Sequence, residues 1–308
     1  MKHIFIINPA AGGGKSTASL EKAINYTCKD RKVDYMIYKT KKVGDATAFV
    51  SSLAQSNDMM RVYACGGDGT LNEVISGAPT ADNLSFGLIP HGTGNDFYRN
   101  FTNKNAFFNI GHQLDGDIVP IDIFKCNDRY GINMINIGFD CHVVQETGRL
   151  QAKYPIPKKM AYFSGIAKVF FRKIGLRFRL ILDNGEIFDS WMTLSLIANA
   201  PFCGGGFKAA PLARLDDGLL DVCVIDKVSR PRFLRAISAY KKGDHLNERH
   251  HFDFISYRQI SSLTIKFAEP QFYCIDGQID RDRELKISVL PRALKFIVPA
   301  TSSCTLLS

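Results

Sequence analysis

The chain has 308 residues, 45% apolar and 22% charged, with a formal net charge of +9. That length accommodates two domains with separate cores, and the composition is that of an ordinary soluble protein, which excludes fibrous and disordered classes. No run of about eighteen apolar residues occurs, so nothing reads as a membrane-spanning helix. The basic balance suits anionic partners such as nucleotide, nucleic acid or an acidic membrane, or is only a solubilising charge.

In chain order, residues 2–7 read as a first strand, without the apolar core and cleavage site of a signal peptide. Eight cysteines (Cys28, Cys65, Cys126, Cys141, Cys203, Cys223, Cys274 and Cys304) form no CxxC pair. They point to reduced, mostly buried thiols in a cytoplasmic protein and against a cysteine zinc site. The first strand ends in NPAAGGGKST, residues 8–17. Gly14-Lys15-Ser16 fits the end of a phosphate-gripping P-loop, but Pro9 stands where that motif needs its first glycine, and proline has no N–H to donate. What remains is a donor-rich strand-to-helix turn that Ser16 or Thr17 can cap, either a phosphate-facing loop or a plain glycine turn.

A helix over 16–30, a strand in VDYMIY, a helix over 45–55 and strands over 60–65 and 86–90 follow. This alternation predicts a parallel sheet covered by helices, with ligands bound at the carboxyl ends of the strands. Two such ends carry the strongest signals. ACGGDGTLNEV, residues 64–74, offers Gly66 and Gly67 for close backbone approach to phosphate, then Asp68, Gly69 and Thr70 at a helix start. Asp68 reads as a Mg²⁺ ligand, a group that polarises an attacking hydroxyl, or a helix-capping turn residue. LIPHGTGNDFYRN, residues 88–100, repeats the pattern with Gly92 and Gly94 beside Thr93, Asn95 and Asp96.

From about residue 120 the pattern becomes mainly antiparallel β, with a hairpin signal at Asn184-Gly185 and helical stretches near 140–150, 158–174 and 229–241. No repeat or low-complexity linker separates the halves. The boundary between the α/β part and the mainly β part falls near residues 120–127.

NPAAGGGK, GGDGTLNEV and HGTGNDF, in this order, resemble the diacylglycerol kinase catalytic domain family, which includes bacterial lipid kinases and sphingosine kinases. The resemblance extends through PLARLDDGLLDV, residues 211–222, to a late IDG segment. It implies a phosphofructokinase-like α/β nucleotide domain over 1–125 followed by a lipid-substrate β-sandwich over 126–290, with substrate in the cleft between them and a tail over 291–308 returning to the first domain. It implies ATP contacts from Asn8, Ala10, Gly12, Gly13, Gly14 and Lys15, from Thr40, from Gly66, Gly67, Asp68, Gly69, Thr70, Leu71 and Asn72, and from Thr93, Asn95 and Asp96. It also implies a structural Mg²⁺ held by Asp217 and the carbonyls of Arg214 and Leu219, with Asp68 managing the catalytic magnesium; oxygen donors suit that hard cation.

One departure stands out. The family's Asp-Gly-Glu, whose glutamate is taken as the base, is here Asp276-Gly277-Gln278. An amide accepts no proton at neutral pH. Losing a base costs about 10² to 10⁴ in rate, roughly 3–5 kcal/mol. Asp68 or Asp276 replaces it, or Asp280 reaches in, or the chain binds without much turnover; Asp68 is the expectation adopted, because it belongs at the phosphate end.

Residues 153–179 mix basic and apolar residues, with Phe163, Ile166, Ala167, Phe170 and Ile174 at helical spacing, either a core-facing stripe or an interfacial helix. The expected protein is therefore an ATP- and Mg²⁺-dependent lipid kinase, cytoplasmic and peripheral to the inner face of the membrane, acting on diacylglycerol to give phosphatidic acid. A catalytically weak binding homologue and an NAD kinase are the alternatives. No nucleic-acid motif occurs; the oligomeric state is open, with a homodimer among the expectations.

Overall fold

The computed structural model describes residues 1–13, 17–92, 94–171, 175–247, 252–301 and 304–307. Gly14, Lys15, Ser16 and Thr93, and Arg172, Lys173 and Ile174 of the basic stretch, lie outside the described residues, as do the side chains of Lys158 and Lys159.

The first half builds β1 (Lys2–Ile7), α1 (Thr17–Asp30), β2 (Tyr35–Lys39), α2 (Asp45–Leu53), β3 (Met60–Gly66), α3 (Asp68–Ser76), β4 (Leu84–Pro90) and a short α4 (Ile110–Leu114). The strands lie in the order β2-β1-β3-β4, all parallel. Helices cover both faces. Ile4, Ile6, Val62, Ala64 and Phe86 pack with Val50 of α2 and Leu71 and Val74 of α3. Phe5, Ile7, Tyr63 and Cys65 pack on the other side with Ile24 and Cys28 of α1. Burial on two faces is why these strands read as unbroken apolar runs.

The second half builds β5 (Asp117–Cys126), β6 (Arg129–Gly131), β7 (Met134–Gly138), α5 (Phe139–Lys153), α6 (Lys158–Phe171), β8 (Leu176–Leu182), β9 (Ile187–Ala198), β10 (Leu220–Asp226), α7 (Arg230–Lys242), β11 (Ile255–Ile260), β12 (Ser262–Ile275) and β13 (Gln278–Val298). Its pairings are antiparallel, and β8 pairs with both β9 and β12, so the sheet closes on itself around an apolar interior. The β8–β9 hairpin forms at Asn184-Gly185, with Gly185 at φ 86°. A second core lies outside, where Leu194, Leu196 and Cys223 meet α5, α6 and α7.

Two strands join the halves. β5 and β13 pair along the β domain, shift register between Leu290 and Leu294, and continue beside the parallel sheet, where Phe296 pairs with Phe86 of β4. Arg292, at φ 51°, sits in that break. Beyond β13 the chain still follows the first half, with Leu306 bridged to Phe101.

α6 carries its apolar residues on both sides. Ala161 and Val169 are buried, with Ile166 and Phe170 packed against the outer core. Met160, Phe163 and Phe171 face outward at 58%, 68% and 77% exposure. The stripe expected to hold one role thus divides: Ile166 and Phe170 serve the core, while Phe163 and Ala167 point to solvent. Among the described residues no helix is long and apolar enough to cross a membrane.

Candidate active site

The carboxyl ends of β1, β3 and β4 deliver three turns to one place. Asn8 donates from its backbone to the Cys65 carbonyl and from Nδ2 to Thr70 Oγ1 at 3.0 Å, and its Oδ1 accepts from the Ala10 N–H. His91 donates its N–H to the Gly66 carbonyl at 2.7 Å. Thr40, just past β2, donates its N–H to the Ile7 carbonyl, beside the first turn.

Contact between the turns themselves demands glycine. A Cβ on Gly92 would stand 2.5 Å from the Gly67 Cα, and one on Gly12, at φ 59°, 2.6 Å from the His91 carbonyl oxygen. Gly69, by contrast, meets nothing within 4 Å. Motif glycines therefore serve two ends, loop against loop at Gly67 and Gly92, and open space for a ligand at Gly69.

Asp68 opens α3, and its carboxylate accepts the N–H groups of Asp96, at 2.8 and 3.0 Å, and of Phe97, at 3.0 Å. It braces the β4 turn. Asp96 continues the chain of contacts across the cleft: its Oδ2 accepts the Gly205 N–H at 2.9 Å, and Arg99 Nε lies 3.3 Å from Oδ1. Burial first, then the Asp68 charge, pushes the Asp96 carboxyl up to about 6. Gly204, Gly205 and Gly206 all have positive φ, a run that only glycine adopts without strain.

Several expected ligand contacts are spent inside the protein. Asn95, at φ 50°, exchanges two hydrogen bonds with Gly92. The Leu71 side chain is wholly in the core and offers no contact to a nucleotide. Asn72 is buried and donates to the Tyr130 carbonyl and, at 2.9 Å, to Asp276 Oδ2, tying the two halves together.

Asp276 is the clearest correction. Besides Asn72, its carboxylate accepts the N–H groups of Ile132, Asn133 and Met134 at 2.8–3.0 Å. Burial raises its pKa, and these donors oppose the rise. Four donors fill the four lone-pair sites of a carboxylate, so this group is a brace with no acceptor site left for a substrate proton. Gln278, half-buried, accepts from Arg129 Nη2 at 2.8 Å, and Arg129 Nη1 reaches Asp280 Oδ2 at 3.1 Å. Asp280 is exposed and held by that pair.

The 214–219 loop lies on Asp122, a fully buried carboxylate inside β5. Asp122 accepts the Gly218 and Arg292 N–H groups, each at 2.6 Å, and its own N–H donates to the Leu215 carbonyl. Asp217 Oδ1 accepts the Leu219 N–H; burial, aided by the charges of Asp122 and Asp216, raises its pKa against that bond. No described backbone donor reaches the Arg214 or Leu219 carbonyl. Among the described residues no three His, Cys, Asp or Glu side chains form a metal cluster. One carboxylate, two free carbonyls and a neighbouring acidic charge nevertheless suit a hard cation completed by water.

Asp122, Arg129 and the Asp96–Gly205 link carry no weight in the sequence reading. A charged residue within the apolar run VPIDIF and three glycines after Cys203 were the available signals; Arg129 had none.

A model of the diacylglycerol kinase catalytic domain matches residues 2–126, and one of the YegS C-terminal NAD kinase beta sandwich-like domain matches residues 133–298. The chain belongs to the diacylglycerol kinase catalytic domain family. Among family members, a diacylglycerol kinase of Staphylococcus saprophyticus is 30% identical over 78% of this chain and 77% of its own length. One of Mycobacterium tuberculosis is 28% identical over 96% and 94%. The crystal structure of a diacylglycerol kinase from Bacillus anthracis superposes with a TM-score of 0.72 at 25% identity, covering 96% of each chain.

Proposed function

We propose that the protein transfers the γ-phosphoryl of ATP to a lipid hydroxyl, with diacylglycerol, yielding phosphatidic acid, as the reference acceptor. The observation that carries this reading is the meeting of the three turns, with Asp68, opposite a second domain reached through Asp96 and Gly205. Phosphoryl transfer needs positioning and charge neutralisation more than covalent help, and backbone donors at helix starts supply both.

Asp68 is the carboxylate proposed to receive the acceptor proton and to face magnesium. Asp276 is saturated, and Asp280 is turned outward onto Arg129. Asp217, with the Arg214 and Leu219 carbonyls, would hold the structural Mg²⁺, whose charge steadies this acidic loop. The acceptor is met at a membrane surface by α6, where Met160, Phe163 and Phe171 project beside Lys168. A cavity of about 690 Å³ between α5 and α6, lined by Arg149, Lys153, Tyr154 and Lys168 with Glu146 paired to Arg149 and Lys168, carries a net positive charge there.

A weakly turning binding protein is the second reading, favoured by Gln278 alone. An assay with γ-labelled ATP against a panel of extracted lipids, with product identification, decides between them. One labelled lipid supports the kinase; nucleotide binding with no labelled lipid supports the binding protein. Restoring the acid in Gln278→Glu should leave the kinase active, since Arg129 stands ready to pair with it.

A further inference from the structure

α5 and α6 meet where α6 has no side chain to hold them apart. A Cβ on Gly165 would stand 3.0 Å from Thr147 Oγ1 and 3.2 Å from the Val143 carbonyl oxygen, both on α5. One turn further along α6, Lys168 reaches Glu146 Oε2 at 2.6 Å, and one turn along α5, Arg149 reaches Oε1 at 3.2 Å. The Arg230 guanidinium donates to the Phe170 and Phe171 carbonyls and so fixes the end of α6 that carries Lys168.

The cavity of about 690 Å³ opens at this point. Glu146, Arg149, Leu150 and Lys153 follow the i, i+3, i+4, i+7 spacing of one helix face, and all four line it together with Tyr154 and Lys168. The carboxylate and its cations lie at different depths: the Glu146 side chain is 1% exposed, those of Lys168 and Arg149 48% and 70%. A ligand entering the cavity therefore meets the ammonium and guanidinium groups before the carboxylate that holds them in place. Lys153, in the same cavity, stands over the Tyr154 ring with no carboxylate partner among the described residues. Three cations against one carboxylate leave a surplus of positive charge, preorganised by a buried anchor.

That surplus matches one kind of anion. A phosphate monoester carries about −1.5 to −2 near neutral pH and offers three strong acceptor oxygens. A guanidinium fork takes two such oxygens at once, and an ammonium takes another as a point charge. Apolar surface adjoins the opening: Tyr154 is exposed, and Phe171, three residues beyond Lys168 and its neighbour on the α6 surface, projects into solvent.

We propose that this cavity is a headgroup site for the phosphate monoester of a glycerolipid, of the phosphatidic acid type, built from none of the residues of the phosphate turns. A soluble phosphate would meet the same cations and leave the aromatic rim unused. The inference goes beyond the kinase reading: it concerns binding and not turnover, so either can fail while the other stands.

The test is sedimentation with phosphatidylcholine vesicles that contain phosphatidic acid or phosphatidylglycerol, matched in surface potential so that unspecific attraction is equal. The wild type should bind the phosphatidic acid vesicles about tenfold more tightly. Lys266→Ala, which removes an exposed lysine of β12, should keep that ratio, and Lys168→Met should bring it to about twofold or less. Should the single variant fail to fold for want of a partner to Glu146, the double variant Glu146→Gln, Lys168→Met buries no carboxylate and must show the same loss. A ratio near one in the wild type, or a ratio kept in the variants, is what an unspecific basic surface gives, and overturns the proposal. Calorimetry with glycerol 3-phosphate separates the sources of the phosphate. Binding about tenfold or more weaker than that of a dispersed short-chain phosphatidic acid supports the lipid, and equal affinity for the two overturns it.

Discussion

The turns at the ends of β1, β3 and β4 and the packed outer core beneath α5 and α7 treat their polar groups in opposite ways. In the turns, Asp68 serves the N–H groups of Asp96 and Phe97, Asn95 serves Gly92, and Asn72 and Asp276 serve each other. Beneath α5 and α7, Asn136 Oδ1 and the Tyr240 hydroxyl are buried without a partner among the described residues. Membership of a motif therefore does not make a residue a ligand contact. What separates a brace from a binding group is whether the fold has already satisfied it.

The largest expected effect tests the one motif residue that is both braced and proposed to act. Asp68→Asn should lower kcat about a thousandfold, roughly 4 kcal/mol, while KM for ATP changes less than about threefold. Steady-state kinetics at saturating lipid measures both. If KM rises and kcat holds, Asp68 is only the clasp of the β4 turn, and the region contains braces alone.

Asp276→Asn comes next. It leaves backbone donors of Ile132, Asn133 and Met134 facing an amide, and should cost about 3 kcal/mol in denaturant unfolding. The folded fraction should keep kcat within about tenfold of the wild type. A larger fall in kcat with unchanged stability would return Asp276 to the chemistry.

The parallel sheet was legible from residues 2–90 because doubly buried strands are continuous apolar runs and each ends at a glycine turn. The β domain was legible as strands and helices, but not in its closure through β8, since pairing partners far apart in sequence leave no local pattern. In the site, the turns announced themselves because close backbone approach restricts residue type locally. The side chains of Asp122 and Arg129 act through neighbours 96 to 170 positions away, and spacing along the chain does not encode that. Leu71 and Asn72 show the same limit: a motif gives positions, while burial decides which side chains face out.

The pH dependence of stability sharpens the contrast from the side of α5. The folded-state pKa of Asp140 is raised from 3.8 to about 6, so the folded state favours its protonated form. Its contribution is fully present below about pH 4 and is lost as pH rises through about 6. Asp140→Asn, neutral throughout, should match the wild type near pH 4 and exceed it by roughly 2–3 kcal/mol at pH 8. Denaturant melts across that range measure the gap. A constant gap would mean that a partner satisfies Asp140.

The smallest effect concerns the membrane contact proposed for α6. Lys153 and Lys168 line the cavity next to the exposed Phe163 and Phe171. Lys168 is already paired with Glu146 at 2.6 Å, so it brings less free charge to a membrane than Lys153, whose ammonium lies over the Tyr154 ring. Near an anionic surface each free cation contributes about 1 kcal/mol. Lys153→Ala should therefore weaken binding to vesicles rich in phosphatidylglycerol about fivefold, and Lys168→Ala less. Phe163→Ala should weaken it even on neutral vesicles, because that contact is apolar. Sedimentation with both vesicle types separates the terms. Equal binding by all three variants would remove α6 from the membrane and leave its outward phenylalanines without a role.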